Sequence, residues 1–227
     1  LNATARLQLK GDPGETFTLM PFVALSQGST SGSIYANQTS TGYLPLTNGS
    51  TTANTKNDNH FAVARLNGQW RRKLSADSNM EWKFNVGGWN SHNQYQQVSG
   101  NAYLLPSIQD DSRTQDRSTN VSGKYTNVMG GGHQWVSGGE VESVRRTQST
   151  VGAYQSVAGS ANYSASSMRY AVYSQDEWQL TQHWSTHVGA RYEGLTTEGS
   201  TSAGDVTNRN SVFTPLLHAM WRPNPDS

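Results

Sequence analysis

Six histidines and a scatter of carboxylates carry whatever case there is for metal or acid–base chemistry, because the chain contains no cysteine. His183 and His187 have the four-residue spacing of a helical zinc pair. On an extended strand the same spacing separates them by about 13 Å, too far to share an ion. Asp110, Asp111 and Asp116 cluster closely enough to hold a hard cation, although a solvated acidic loop is the simpler reading. There is no Gly-x-x-x-x-Gly-Lys phosphate loop and no Gly-x-Ser-x-Gly elbow, and Gly130–Gly132 reads as a tight turn. No ordered set of acid, base and nucleophile stands out. The expectation is therefore no catalytic residue, no metal site, no cofactor and no enzyme. A net charge of +1 gives no electrostatic footprint for nucleic acid.

The elements that would have to position any binding residue are strands. The chain is poor in aliphatic residues, yet a 10% aromatic content and a near-zero net charge argue against simple disorder. Apolar residues alternate with polar ones in about nine segments. Leu1, Ala3, Ala5, Leu7 and Leu9 form the first apolar row; Phe17, Leu19, Pro21, Val23 and Leu25 form the second. Further rows are Ala62–Trp70, Met80–Val86, segments near 119–129, 133–146 and 169–180, then Trp184–Tyr192 and Phe213–Trp221. The opposite rows carry charges of both signs, among them Arg65, Arg71, Glu140, Glu142, Arg191 and Glu193. No apolar run is long enough for a membrane-spanning helix.

Connections separate a soluble sheet from a membrane one. Short links (Gly11–Glu15, Ser75–Asn79, Gly130–Gly132, Thr181–His183) alternate with long ones at about 28–59, 98–117, 147–166 and 195–210. Sorting every long link to one end is the habit of outer-membrane barrels, with short periplasmic turns and long extracellular loops. Trp70, Trp82, Trp135, Trp178, Trp184 and Trp221 all fall within about four residues of a short link, as expected for one aromatic girdle at the membrane boundary. Tyr170 and Tyr192 suit the opposite girdle. Asp176 shares a side with Tyr170 and Val172, and the alternation leaves open whether it faces lipid or is turned inward by a bulge.

The run Tyr173-Ser174-Gln175-Asp176-Glu177-Trp178, then Trp184 and Gly189-Ala190-Arg191-Tyr192-Glu193, resembles a hairpin of TonB-dependent outer-membrane receptors. Thr214-Pro215-Leu216 resembles the next family strand, with Leu216 in place of the usual Arg. The resemblance implies a large barrel occluded by a plug domain, taking up a scarce ligand such as a metal chelate or a sugar with energy from TonB. Its implied partners are outer-membrane lipid, the protein's own plug, TonB acting through the plug region, and a small ligand of unknown identity.

On this reading residues 1–227 are an internal part of an all-β, antiparallel transmembrane barrel domain in the cell outer membrane, lacking the plug and terminal strands. Nine is also an odd number for a complete bacterial barrel. The charged rows would face the lumen. Ligand contacts are expected from the long connections, where Tyr35, Tyr43, Trp89, Tyr95, Tyr103, Arg113 and Arg117 could act by stacking and charge. Two other classes stay open on the residues: a secreted β-sandwich that binds glycans, and a porin or barrel enzyme.

Overall fold

The computed structural model describes residues 1–38, 49–101 and 103–223. It is an antiparallel sheet of ten strands: β1 (Asn2–Thr4), β2 (Leu7–Lys10), β3 (Glu15–Gln38), β4 (Gly49–Lys73), β5 (Ser78–Ser99), β6 (Ile108–Met129), β7 (His133–Tyr154), β8 (Val157–Gln179), β9 (Trp184–Thr201) and β10 (Gly204–Trp221). From β3 to β10 every strand pairs with its sequence neighbours, while β1 and β2 both pair with β3. Among the described residues the sheet does not close on itself, so β1 with β2 and β10 form its two edges.

Ten strands arise where alternation suggests nine because Pro21 divides the first. β1 and β2 continue one register along β3, with Thr4 opposite Phe22 and Leu7 opposite Leu19. Between them the Ala5 amide donates to the Pro21 carbonyl at 3.2 Å. The reciprocal bond cannot form, since proline has no N–H. Pro21 faces an edge at this point, which is where a sheet tolerates it.

The short links fold as the sequence suggests. Asp12-Pro13-Gly14 closes with the Glu15 amide donating to the Asp12 carbonyl at 2.8 Å, and Gly14 takes the positive φ of 87° that such a turn needs. A side chain at Gly14 would also run into Lys73. The Ser75 hydroxyl accepts from the Asp77 and Ser78 amides, and the Thr181 hydroxyl accepts from those of His183 and Trp184.

The other end differs from expectation. Most residues assigned to long loops are strand, and β3 to β8 run for 22–25 residues. At about 3.3 Å per residue such strands reach about 75 Å. An apolar band some 25 Å tall needs only about 9–11 tilted residues. More than half of each long strand therefore extends beyond the band as paired hairpin. β7 and β8 are joined by Gln155 and Ser156 alone, with φ of 48° and 69°, the left-handed pair of a type I′ turn. These extensions carry Ser, Thr, Asn and Gln on both faces, so they show no period-two signal.

There is no conventional core. Buried apolar residues are few and scattered (Ala53, Val63, Val136, Ala171), and no large side chain is fully buried among the described residues. The fold is one layer, and no second sheet stacks on it among the described residues, as a sandwich would require. Its apolar face must be covered by something other than this sheet.

Candidate functional site: two faces of a barrel wall

Directly paired residues share a face, so the ladder assigns the faces. One row runs Phe17, Trp70, Trp82, Gly123, Gly139, Val172, Tyr192, Phe213 from β3 to β10. The adjacent row, on the other face, runs Thr16, Arg71, Glu81, Lys124, Gly138, Tyr173, Arg191, Thr214.

The apolar row belongs to the outer face. All six girdle tryptophans lie on it beside the short turns. The Trp70 indole donates to Glu15 Oε1 at 2.8 Å and that of Trp135 to Ser174 Oγ at 2.7 Å. Trp184 and Trp221 pair across the β9–β10 ladder, their ring centroids 6.3 Å apart and their planes tilted by 31°. Tyr170 and Tyr192 approach at 6.3 Å eight residues along from Trp178 and Trp184, as two girdles bounding a nine-residue apolar span should. Val188 and Leu217, partners across the β9–β10 ladder, lie inside this span and are 52% and 79% exposed.

Asp176 stays on the outer face, paired with Trp135 and Val188, so no bulge turns it inward. His133 Nδ1 lies 2.7 Å from its Oδ2 and stacks on Trp178 with centroids 4.7 Å apart. A carboxylate just inside the short-turn girdle thus has a local imidazole partner, which lowers the cost of that position.

The inner face is polar and cross-linked. Glu140 receives Arg191 Nη2 at 2.8 Å, and Glu193 is bound by the same guanidinium. Arg169 reaches Glu142 at 3.0 Å and Glu140 at 3.7 Å. Arg71 and Lys83 converge on Glu81 at 2.7 and 2.6 Å. Arg65 shares this face through its pairing with Phe22 and Gly87. Arg71–Glu81 and the Arg169 pairs join neighbouring strands and Arg191–Glu140 reaches across β8, so they tie the wall together while keeping its inner surface wet.

Farther from the short turns, the inner face becomes a trough of about 1310 Å³, lined along one row by Phe61, Ser91, Thr114, Gln148, Tyr163 and Thr201. Trp89, Asp116 and Arg146 lie in register at its lower rim. Arg146 Nη2 is 2.9 Å from Asp116 Oδ2, and its guanidinium carbon is 5.5 Å from the centre of the Trp89 ring. Phe61 lies 5.9 Å from the same indole. The cluster is a flat aromatic surface with a cation held over it by a carboxylate.

Of the loop residues singled out by sequence, Trp89 and Tyr95 share the inner face, Tyr95 donating to Gln97 Oε1 at 2.9 Å. Tyr35, Arg113 and Arg117 lie on the outer face, and Tyr103 is fully exposed in the β5–β6 connection. Tyr43 lies outside the described residues. Phe61 and Tyr163 were not among those choices; their alternation with polar neighbours was the available signal. Asp110 and Asp116 face inward and Asp111 outward, so the acidic cluster does not converge. No group of three or more potential metal ligands occurs among the described residues. Asp111 accepts from Gln94 at 2.8 Å and sits 3.0 Å from His92 Nε2, and these two neighbours hold its carboxyl below the ordinary value of 3.8.

Comparison with known proteins agrees with this architecture. The siderophore receptor PiuA from Acinetobacter baumannii has a similar fold, at 10% identity and a TM-score of 0.53, over 99% of this chain and 43% of that one. BauA, the ferric preacinetobactin receptor of the same organism, is similar at 7% identity and a TM-score of 0.50, over 98% and 40%. The chain thus spans about two fifths of the length of these structures. No curated protein sequence matches it. Residues 8–227 match the model of the TonB dependent receptor-like β-barrel family. A single-layer β wall with one apolar and one polar, ion-paired face agrees with that match, and the chain belongs to the family of TonB-dependent receptor β-barrels.

Proposed function

We propose that residues 1–227 are one part of the barrel domain of a receptor that takes up a scarce chelate across the outer membrane. The plug and the remaining strands come from the rest of the protein, and TonB supplies energy through the plug. The inner trough with the Trp89–Arg146–Asp116 cluster at its rim carries this reading. The cluster suits a planar, anionic ligand: the indole face supplies dispersion, and Arg146 adds charge close to it. Asp116 keeps the guanidinium in place without using all of its donors. The outer-face residues cannot reach such a ligand, which separates them from the cluster in a mutational test. The structural similarity to a siderophore receptor and a ferric preacinetobactin receptor supports a ferric chelate as the ligand class.

The test uses the full-length receptor in iron-starved cells, with radiolabelled iron presented on catecholate, hydroxamate and citrate chelators in turn. Trp89→Ala and Arg146→Ala should each lower uptake of the preferred chelate by about tenfold or more, as loss of one aromatic anchor or charge-assisted contact predicts. Arg209→Ala, on the outer face opposite Thr196, should leave uptake unchanged. Equal uptake by all three variants would refute the assignment.

A further inference from the structure

Arg117 of β6 and Arg145 of β7 are direct partners across the ladder. Both are exposed, and both lie on the outer face, Arg117 also opposite Gly88 and Arg145 also opposite Ser166. Like charges placed directly opposite destabilise a sheet, and here no carboxylate relieves them. Arg71, Arg113, Arg146, Arg169 and Arg191 each meet an acidic side chain, whereas neither Arg117 nor Arg145 makes a hydrogen bond or ion pair with a described residue. Two guanidiniums held one ladder step apart match the several acceptor oxygens of a phosphate.

The same two strands carry a second feature on the same face. Gly123 and Gly139, direct partners, form the floor of an apolar groove of about 520 Å³ walled by Trp82, Val121, Val141, Tyr170 and Val172. Six residues separate Gly123 from Arg117 and Gly139 from Arg145, about 20 Å along a strand. At a tilt of about 40° this is about 15 Å along the membrane normal, one leaflet of a core about 30 Å thick. From Trp135 in the short-turn girdle to Arg145 is ten residues, which at the same tilt gives about 25 Å, the full height of the apolar band. The arginine pair therefore stands at headgroup level while the groove leads down to the bilayer centre.

We propose that this outer surface is a binding site for one phosphate-bearing membrane lipid of the outer leaflet, its phosphate between Arg117 and Arg145 and an acyl chain along the Gly123–Gly139 groove. The lipid relieves the opposed charges and fills the dent in the wall. A free phosphate would do only the first.

The experiment uses delipidated full-length receptor in detergent, titrated with phosphatidic acid, with diacylglycerol of the same chains, or with inorganic phosphate, and read by native mass spectrometry. One phosphatidic acid should be retained, diacylglycerol should bind at least about tenfold more weakly, and Arg117→Gln/Arg145→Gln should weaken phosphatidic acid by at least about tenfold. Val141→Trp, which narrows the groove and keeps both arginines, should also weaken it. Heat-modifiable gel mobility confirms that each variant is folded. Unchanged retention by the double glutamine variant overturns the site. Displacement of phosphatidic acid by an equal concentration of inorganic phosphate makes it a free-anion site and overturns the lipid. A lipid-free dimer mass makes the face a protein interface and overturns it as well.

Discussion

Val121 and Asn120 are neighbours in β6 that the ladder places on opposite faces, so substituting arginine at each measures the facing with strand propensity nearly cancelled. Val121 pairs with Phe84 and Val141 on the outer face. Phe84 stands two residues beyond Trp82 of the short-turn girdle and Val141 pairs with Tyr170 of the opposite girdle, so Val121 lies between the two. Arginine there sits near the middle of the hydrocarbon and should cost about 2–4 kcal/mol. Asn120 pairs on the inner face with Glu142, which Arg169 already holds at 3.0 Å. A second guanidinium gains a partly exposed carboxylate and should change stability by no more than about 1 kcal/mol. A gap of about 2–3 kcal/mol between the variants is roughly a 30- to 150-fold difference in the folded-to-unfolded ratio. Full-length variants refolded into lipid vesicles across a urea series, scored by heat-modifiable mobility, resolve a gap of that size. Equal losses, or the larger loss at 120, would refute the assignment of faces.

An epitope inserted between Gln155 and Ser156 should be reached by antibody on intact cells, whereas one at Asp77 or Gly131 should be reached only after the outer membrane is opened; the reverse would invert the barrel. Arg191→Ala removes the partner of Glu193 and leaves Glu140 only its longer contact with Arg169, and should cost about 1–2 kcal/mol after allowing for partial exposure, with Arg191→Lys recovering only part because one ammonium cannot match the planar fork; a neutral Arg191→Ala in the same urea assay would show that the network adds no stability. The Asp111 carboxyl titrates lower folded than unfolded, so its contribution is fully present above pH 3.8 and is lost as pH falls below that value through the folded pKa. Amide exchange in the β5–β6 extension should accelerate over that lower window in the natural chain, and less so in Asp111→Asn, whereas identical profiles would refute the coupling.

Sequence showed the membrane layer well because lipid imposes a period on it. Trp70–Ala62 or Trp184–Tyr192 must alternate, since one face meets hydrocarbon and the other water. The extensions obey no such constraint. Around Ser29, Thr55 or Ser149 both faces are wet, so the residues that continue the ladder look like loop residues, and only the register shows them paired. The Pro21 break was visible as a residue but not as a consequence, because its effect depends on which neighbour its missing N–H would have served. Asp176 was undecidable from alternation alone, since the partner that stabilises it, His133, is 43 residues away. The inner cluster was hidden for the same reason: Trp89, Asp116 and Arg146 meet only through the register of three strands. Arg113 and Arg117 looked like ligand contacts when assigned to a loop, and pairing in β6 places them on the outer face.

The central claim, a barrel wall with one face in lipid and the other in water, is tested most directly by spin labels on single cysteines. The 227 residues contain no cysteine of their own, so labels can be placed one at a time at positions 185 to 191 of β9 in the full-length receptor, in vesicles. Collision rates with oxygen, which concentrates in hydrocarbon, and with a water-soluble nickel complex should alternate with period two and opposite phase. Oxygen should peak at 186, 188 and 190, and nickel at 185, 187, 189 and 191. Equal accessibility along the strand, or oxygen peaks at the odd positions, would contradict the account.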